Sequence, residues 1–147
     1  MADHAKPEGL RSEFLMDMEL ETGAAIRLGA RGIIPVTGGM FEGPKLRGTV
    51  IGPAADWTMR HNDRLIALDV RLLLVTDDDQ RIYMSYRGMV ATTPADAASG
   101  QVAERYWRML PIFETESPKY DWLTRMMSVG VSYTVPQRVS YRVFQIL

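Results

Sequence analysis

The sequence contains no cysteine, which excludes disulfides, thiolate metal sites, iron–sulfur clusters and cysteine nucleophiles together. That usage suits a reducing compartment, and the expected location is the cytoplasm. Only two histidines occur, His4 and His61, so histidine-built zinc sites and Ser-His-Asp triads have little material to draw on. A charge excess of either sign is also missing, since seventeen Lys plus Arg stand against eighteen Asp plus Glu for a net charge of -1. Such a balance offers no footprint for phosphate backbones or anionic membrane surfaces, and neither nucleic acid nor membrane is an expected partner. Lysine is scarce, at three against fourteen arginines. Guanidinium suits bidentate recognition of carboxylates, although a GC-rich gene produces the same bias. No apolar run approaches the length of a membrane helix, and the first ten residues carry Asp3, Lys6 and Glu8 without the apolar core of a signal peptide.

The 147 residues, 46% of them hydrophobic, suffice for one globular domain, expected over 12–147 behind an extended tail at 1–11. Phe14, Met16, Met18 and Leu20 alternate with Glu13, Asp17 and Glu19, the period of a strand with one wet face. Pro35, Gly38 and Gly39 interrupt the stretch from Gly32 to Met40, as at a bulge or corner. Leu46 to Ile51 and Asp56 to Arg60 read as two short strands separated by Gly52-Pro53. A long strand from Leu65 to Thr76, the turn Asp77-Asp78-Asp79 and a return from Gln80 to Val90 follow. Ala91 to Ala103 has loop composition. Glu104 to Phe113 reads as strand, Ser117-Pro118 as the N-cap and first turn of a short helix near 118–124, and Met127 onward as a closing hairpin.

These elements predict an all-β, antiparallel domain, a closed up-and-down barrel of about eight strands with one short helix. Closure is favoured over a sandwich because it hides the long edges of the 65–90 strands.

The residues Gly38 to Gly48 (GGMFEGPKLRG), Ala55-Asp56-Trp57, Asp69-Val70-Arg71, Thr76-Asp77-Asp78, Ile82-Tyr83, Arg87-Gly88, Phe113-Glu114-Thr115 and Tyr120-Asp121-Trp122-Leu123 occur in an order that resembles the domain-of-unknown-function family DUF3237. The resemblance spans roughly Phe14 to Ile146 and implies a small β-barrel without an assigned general function. Family members often carry glycine after Thr-Asp-Asp, where this chain has Asp79, which puts the turn type in question and leaves the fold intact.

The hairpin register decides which side chains share a face. A three-residue loop with Asp79 in the left-handed position pairs Thr76 with Gln80. Leu74, Leu72 and Val70 then face Ile82, Met84 and Tyr86, while Asp69, Arg71 and Leu73 face Arg87, Ser85 and Tyr83. The spacing leaves open which face points inward. Read as a site, Asp69, Arg71, Tyr83 and Arg87 form a polar lumenal cluster. Arg71 and Arg87 would bind a carboxylate or enolate there, and Asp69 or Tyr83 would move a proton. Read as structure, Asp69 opposite Arg87 is a solvated cross-strand pair worth about 0.2–1 kcal/mol. The resemblance, which implies that these polar positions recur, sets the two readings level.

Tyr106, Arg108 and Glu114 share a face of the next strand and extend the cluster, unless that face is merely wet and the face of Trp107, Met109 and Phe113 holds the core. Trp122 on the short helix would plug or line a barrel mouth. Asp56 reads as a rim residue and Trp57 as a core anchor. The glycines from Gly38 to Gly43 precede a strand, so a phosphate loop is rejected. Asp77 to Asp79 lacks the spacing of a calcium loop. Ten methionines suit either gap-filling or an adaptable cavity.

The expected activity is cofactor-free and metal-free proton transfer on a small organic acid, carbonyl or phenolic compound, of isomerase, dehydratase or cyclase type. Catalysis is assigned to Asp69, Tyr83 and Arg87, and ligand binding to Arg71, Tyr106, Arg108, Glu114, Trp122, Asp56 and Trp57. The alternative is a barrel that binds an aromatic or lipid-like acid unchanged. Self-association through an apolar outer face is a third reading, strengthened if the polar cluster lies outside.

Overall fold

Asp79 adopts the left-handed conformation at φ 60°, and the Thr76 N–H donates to the Gln80 carbonyl at 2.9 Å. The three-residue turn therefore sets the register as the sequence predicts. Asp69 pairs with Arg87, Arg71 with Ser85 and Leu73 with Tyr83, while Val70, Leu72 and Leu74 pair with Tyr86, Met84 and Ile82. The computed structural model describes residues 5–92 and 105–147, and most of the expected 91–103 loop lies outside them.

Nine strands form one sheet: β1 (Ser12–Thr22), β2 (Ile26–Leu28), β3 (Arg31–Glu42), β4 (Arg47–Asn62), β5 (Leu65–Thr76), β6 (Arg81–Ala91), β7 (Tyr106–Glu114), β8 (Met127–Ser132) and β9 (Val139–Ile146). Their order is β1-β9-β8-β7-β6-β5-β4-β3-β2, and β1 also pairs with β3. Eight antiparallel strands thus close into a barrel, and the short β2 extends it beside the first residues of β3. No alternation marks β2 in the sequence; its hairpin turns on Gly29 at φ 58°.

Two boundaries need correction. The two strands expected around Gly52-Pro53 are one strand, β4, whose pairing with β5 shifts between Ile51 and Ala55; the proline occupies the bulge, where no ladder donor is required. The expected helix is a five-residue 3-10 turn, Asp121–Arg125, without a side-chain cap. Ser117 is not its cap, because the Tyr120 N–H donates to the Ser117 carbonyl and the Ser117 hydroxyl is buried without a partner among the described residues.

The inward row of each strand fills the barrel. Val70, Leu72, Leu74, Ile82 and Met84 are almost wholly buried, and Met16, Met18 and Met109 join them, so these methionines fill gaps in the barrel core. Tyr120 and Leu123 close the end at the β5–β6 turn and belong to the same core. The Tyr120 hydroxyl donates to Asp78 Oδ1 at 2.7 Å, Lys119 Nζ lies 2.5 Å from Asp78 Oδ2, and Arg47 Nε lies 2.7 Å from Asp77 Oδ2. The plug is tied to the turn it covers.

Candidate functional site

The alternation that buries Val70, Leu72 and Leu74 turns Asp69, Arg71 and Leu73 outward, together with Tyr83, Ser85 and Arg87 across the hairpin. The lumenal placement of Asp69, Arg71, Tyr83 and Arg87 is therefore corrected: the cluster lies on the outer wall. The cause is desolvation. The interior of an eight-strand barrel is narrow, with room for its own side chains and at most one small ligand, and the aliphatic row gains about 25 cal/mol per Å² on burial, whereas two buried guanidinium groups would need partners.

The same parity places Tyr106, Arg108 and Glu114 outside on β7. Arg108 lies over the Tyr106 ring, 4.5 Å from its centroid, and donates to the Trp107 carbonyl at 3.0 Å. Tyr83 and Glu114 line a hollow of about 840 Å³ on the outer wall beside the β5–β6 turn. Trp57 is not a core anchor. It points outward and is 39% exposed. Trp122 packs against the core at the plugged end, with Lys45 Nζ 5.2 Å from its ring centroid.

Asp56 is the residue of the expected set that faces the lumen. It pairs with Ile34 on β3 and Val70 on β5, and Val70 pairs with Tyr86 on β6; residues directly opposite one another share a face of the sheet. The carboxylate is half-buried, and its Oδ1 accepts the Asp69 backbone N–H at 3.1 Å. Burial pushes its pKa up to about 6; the Asp69 N–H opposes the rise and the Asp69 carboxylate adds to it.

Tyr86 and Tyr141 lie near enough to Asp56 for its charge to act on both, and Trp107 joins them through Tyr141. The rings of Tyr86 and Tyr141 meet edge to face, 5.6 Å between centroids, and Trp107 meets Tyr141 likewise at 6.0 Å. The Trp107 Nε1–H donates to the Tyr141 oxygen at 2.8 Å. Burial raises the pKa of both tyrosines; Tyr141 adds to the rise at Tyr86, hydrogen bonding from Tyr86 and Trp107 opposes it at Tyr141, and the Asp56 charge adds a smaller rise to each, which keeps both phenols protonated. The indole occupies a lone pair of the Tyr141 oxygen, so the Tyr141 proton is directed elsewhere.

Asp56, Tyr86, Trp107 and Tyr141 come from β4, β6, β7 and β9, and only closure of the barrel assembles them. Tyr86, Trp107 and Tyr141 were invisible as site residues because each sits in the apolar row of its strand. Their polar tips were the one signal, since a buried Tyr or Trp needs a partner for its O–H or N–H. The set pairs a carboxylate that ionises near neutral pH with neutral donors in a water-poor setting, the components of proton abstraction with stabilisation of the resulting oxyanion. Among the described residues no group of three or more His, Cys, Asp or Glu side chains is placed to hold a metal ion.

Comparison with known proteins gives three kinds of match. Residues 10–146 match the model of the family described as Protein of unknown function (DUF3237). A UPF0311 protein of Rhodopseudomonas palustris (strain TIE-1) is 29% identical over 136 residues, 88% of each chain. Among solved structures, a beta-barrel like protein from Acinetobacter baumannii AYE has a TM-score of 0.87 at 31% identity, covering 98% of this chain and all of its own. An enzyme from Penicillium herquei has a TM-score of 0.76 at 23% identity over 98% of this chain and 99% of its own, a likeness of fold.

Proposed function

The chain belongs to the DUF3237 family, and we propose that it is a cofactor-free enzyme transferring a proton on a small carbonyl or phenolic compound held at the lumenal Asp56 cluster. One observation carries the reading: a desolvated carboxylate with its pKa raised to about 6 stands beside two phenols that burial keeps protonated. Near neutral pH Asp56 is mostly ionised yet basic enough to accept a proton, the condition under which a general base is most effective. Removing a proton from the carbon beside a carbonyl leaves an enolate. Tyr141 is the donor positioned for its oxygen, because the Trp107 N–H holds the phenol and leaves its proton for the ligand. The fold accommodates catalysis in at least one other protein, the Penicillium herquei enzyme. Enolate-based isomerisation, dehydration and cyclisation begin with this step.

The test is solvent-deuterium incorporation, read by NMR, across a panel of enolisable ketones and phenols. Exchange into a bound compound, rising through an apparent pKa of about 6 and lost in Asp56→Asn, is the expected result. Compounds that bind in the lumen yet return unlabelled and unchanged would refute catalysis and leave a carrier barrel.

A further inference from the structure

The lumenal face of β4 continues past Asp56 to the barrel mouth. Thr58 and Arg60 follow at intervals of two, and the pairing with β5 is regular over these residues, with Asp56 opposite Val70 and Arg60 opposite Ile66. On the other side of β4, Gly32 pairs with Thr58, and Arg27 of β2 pairs with Gly32. Arg27, Gly32 and Thr58 therefore form one rung on the lumenal side, about 7 Å beyond the rung of Asp56. Arg60 lies one rung farther out.

Gly32 leaves space on that rung. A Cβ there would stand 2.5 Å from Thr58 Oγ1 and 3.8 Å from Arg27 Nη1, so the Arg27 guanidinium lies across the glycine on the side that faces Asp56. Both arginines are exposed, and neither forms an ion pair among the described residues. Neither Arg27 nor Arg60 is among the groups that perturb Asp56, so these cations are not simply its counter-ions.

We infer that Arg27 and Arg60 make the mouth an anion selector, favouring aromatic keto acids or phenolic acids whose carboxylate lies about one ring length from the group that Asp56 deprotonates. The inference rests on the lumenal reading of Asp56. A carboxylate at the mouth meets the fork of Arg27, which accepts it in a bidentate manner. The aromatic ring then lies along the rung where Ile34 pairs with Asp56, and the acidic C–H reaches Asp56. Without the two cations the Asp56 charge would repel an anionic ligand; with them, net charge at the mouth favours it.

The test uses 4-acetylbenzoate and its methyl ester, which differ only in charge at the end away from the enolisable acetyl group. In the exchange step the Asp56 carboxylate takes a proton from the methyl group, the enolate oxygen accepts a hydrogen bond from Tyr141, and the carboxylic acid, having exchanged with D2O, returns deuterium. Calorimetric binding should favour the acid at least tenfold over the ester. Arg27→Ala should weaken the acid by about tenfold, as for a charge-assisted contact, and Arg27→Ala/Arg60→Ala should abolish the preference, so that acid and ester bind alike. Both arginines are exposed, so these variants should melt as the wild type does. A preference that survives the double variant, an ester that binds as tightly as the acid, or no binding of either compound overturns the inference. The lumenal reading is separated by deuterium entry into the ester. Exchange that Asp56→Asn abolishes preserves it even where the anion selector fails, and absence of both binding and exchange removes both.

Discussion

Replacing Asp56 by asparagine should make the protein more stable at neutral pH, and the gain should depend on pH in a fixed sense. The asparagine amide would keep an acceptor for the Asp69 N–H and lose only the charge. A pKa raised from 3.8 to about 6 corresponds to about 3 kcal/mol between the two protonation states, which partial solvation of the carboxylate reduces to roughly 2 kcal/mol. The folded-state value lies above the unfolded one. Its contribution to stability is thus fully present below about pH 4, where the acid is protonated in both states, and is lost as pH rises through 6. Urea unfolding of wild type and Asp56→Asn at half-unit intervals from pH 4 to 8 should give curves that coincide at the acid end and separate by roughly 2 kcal/mol by pH 7. Other titrating groups, Asp78 among them, cancel in the difference. Curves that remain parallel over the whole range would show that Asp56 is not desolvated, and the proton-transfer argument would fall with it.

Asp69→Asn and Arg87→Ala, on the outer wall, should each change stability by less than about 0.5 kcal/mol and leave deuterium exchange intact; loss of exchange in either would return the site to that face. Trp107→Phe removes the donor to Tyr141 and should cost about 1 kcal/mol in urea unfolding, with a neutral outcome arguing against the indole bond. Asp78 is held well below the usual carboxylate range by Lys119 first, then Thr76 and Tyr120. Tyr120→Phe should therefore move its NMR titration upward, and an unmoved titration would detach the plug from the turn.

The hairpin was legible because two independent signals agreed, a triple-Asp turn and a strict alternation on both sides of it, and Asp79 at φ 60° shows that turn chemistry fixed the register. The barrel followed from strand number and length. What alternation could not give was the sign of the faces. An apolar row and a row of Asp, Arg and Tyr are equally periodic, and the choice between them was made by the narrow interior, which Leu72, Leu74, Ile82 and Met84 fill. Continuity of β4 through Gly52-Pro53 was hidden because proline reads as a break even when it sits in a bulge. Asp56 was visible as a polar residue at a rim. Its partners were not, since Tyr86, Trp107 and Tyr141 lie 30, 51 and 85 residues away along the chain and look locally like core.

The central claim, that the chemistry belongs to the lumenal Asp56 cluster and not to the outer wall, is tested most directly by one paired measurement. Solvent-deuterium incorporation into an enolisable aromatic ketone is followed with Asp56→Asn and Arg87→Ala side by side against the wild type. The structure predicts that Arg87→Ala exchanges at the wild-type rate and that Asp56→Asn falls to the rate without protein. Exchange that persists in Asp56→Asn and disappears in Arg87→Ala would contradict it.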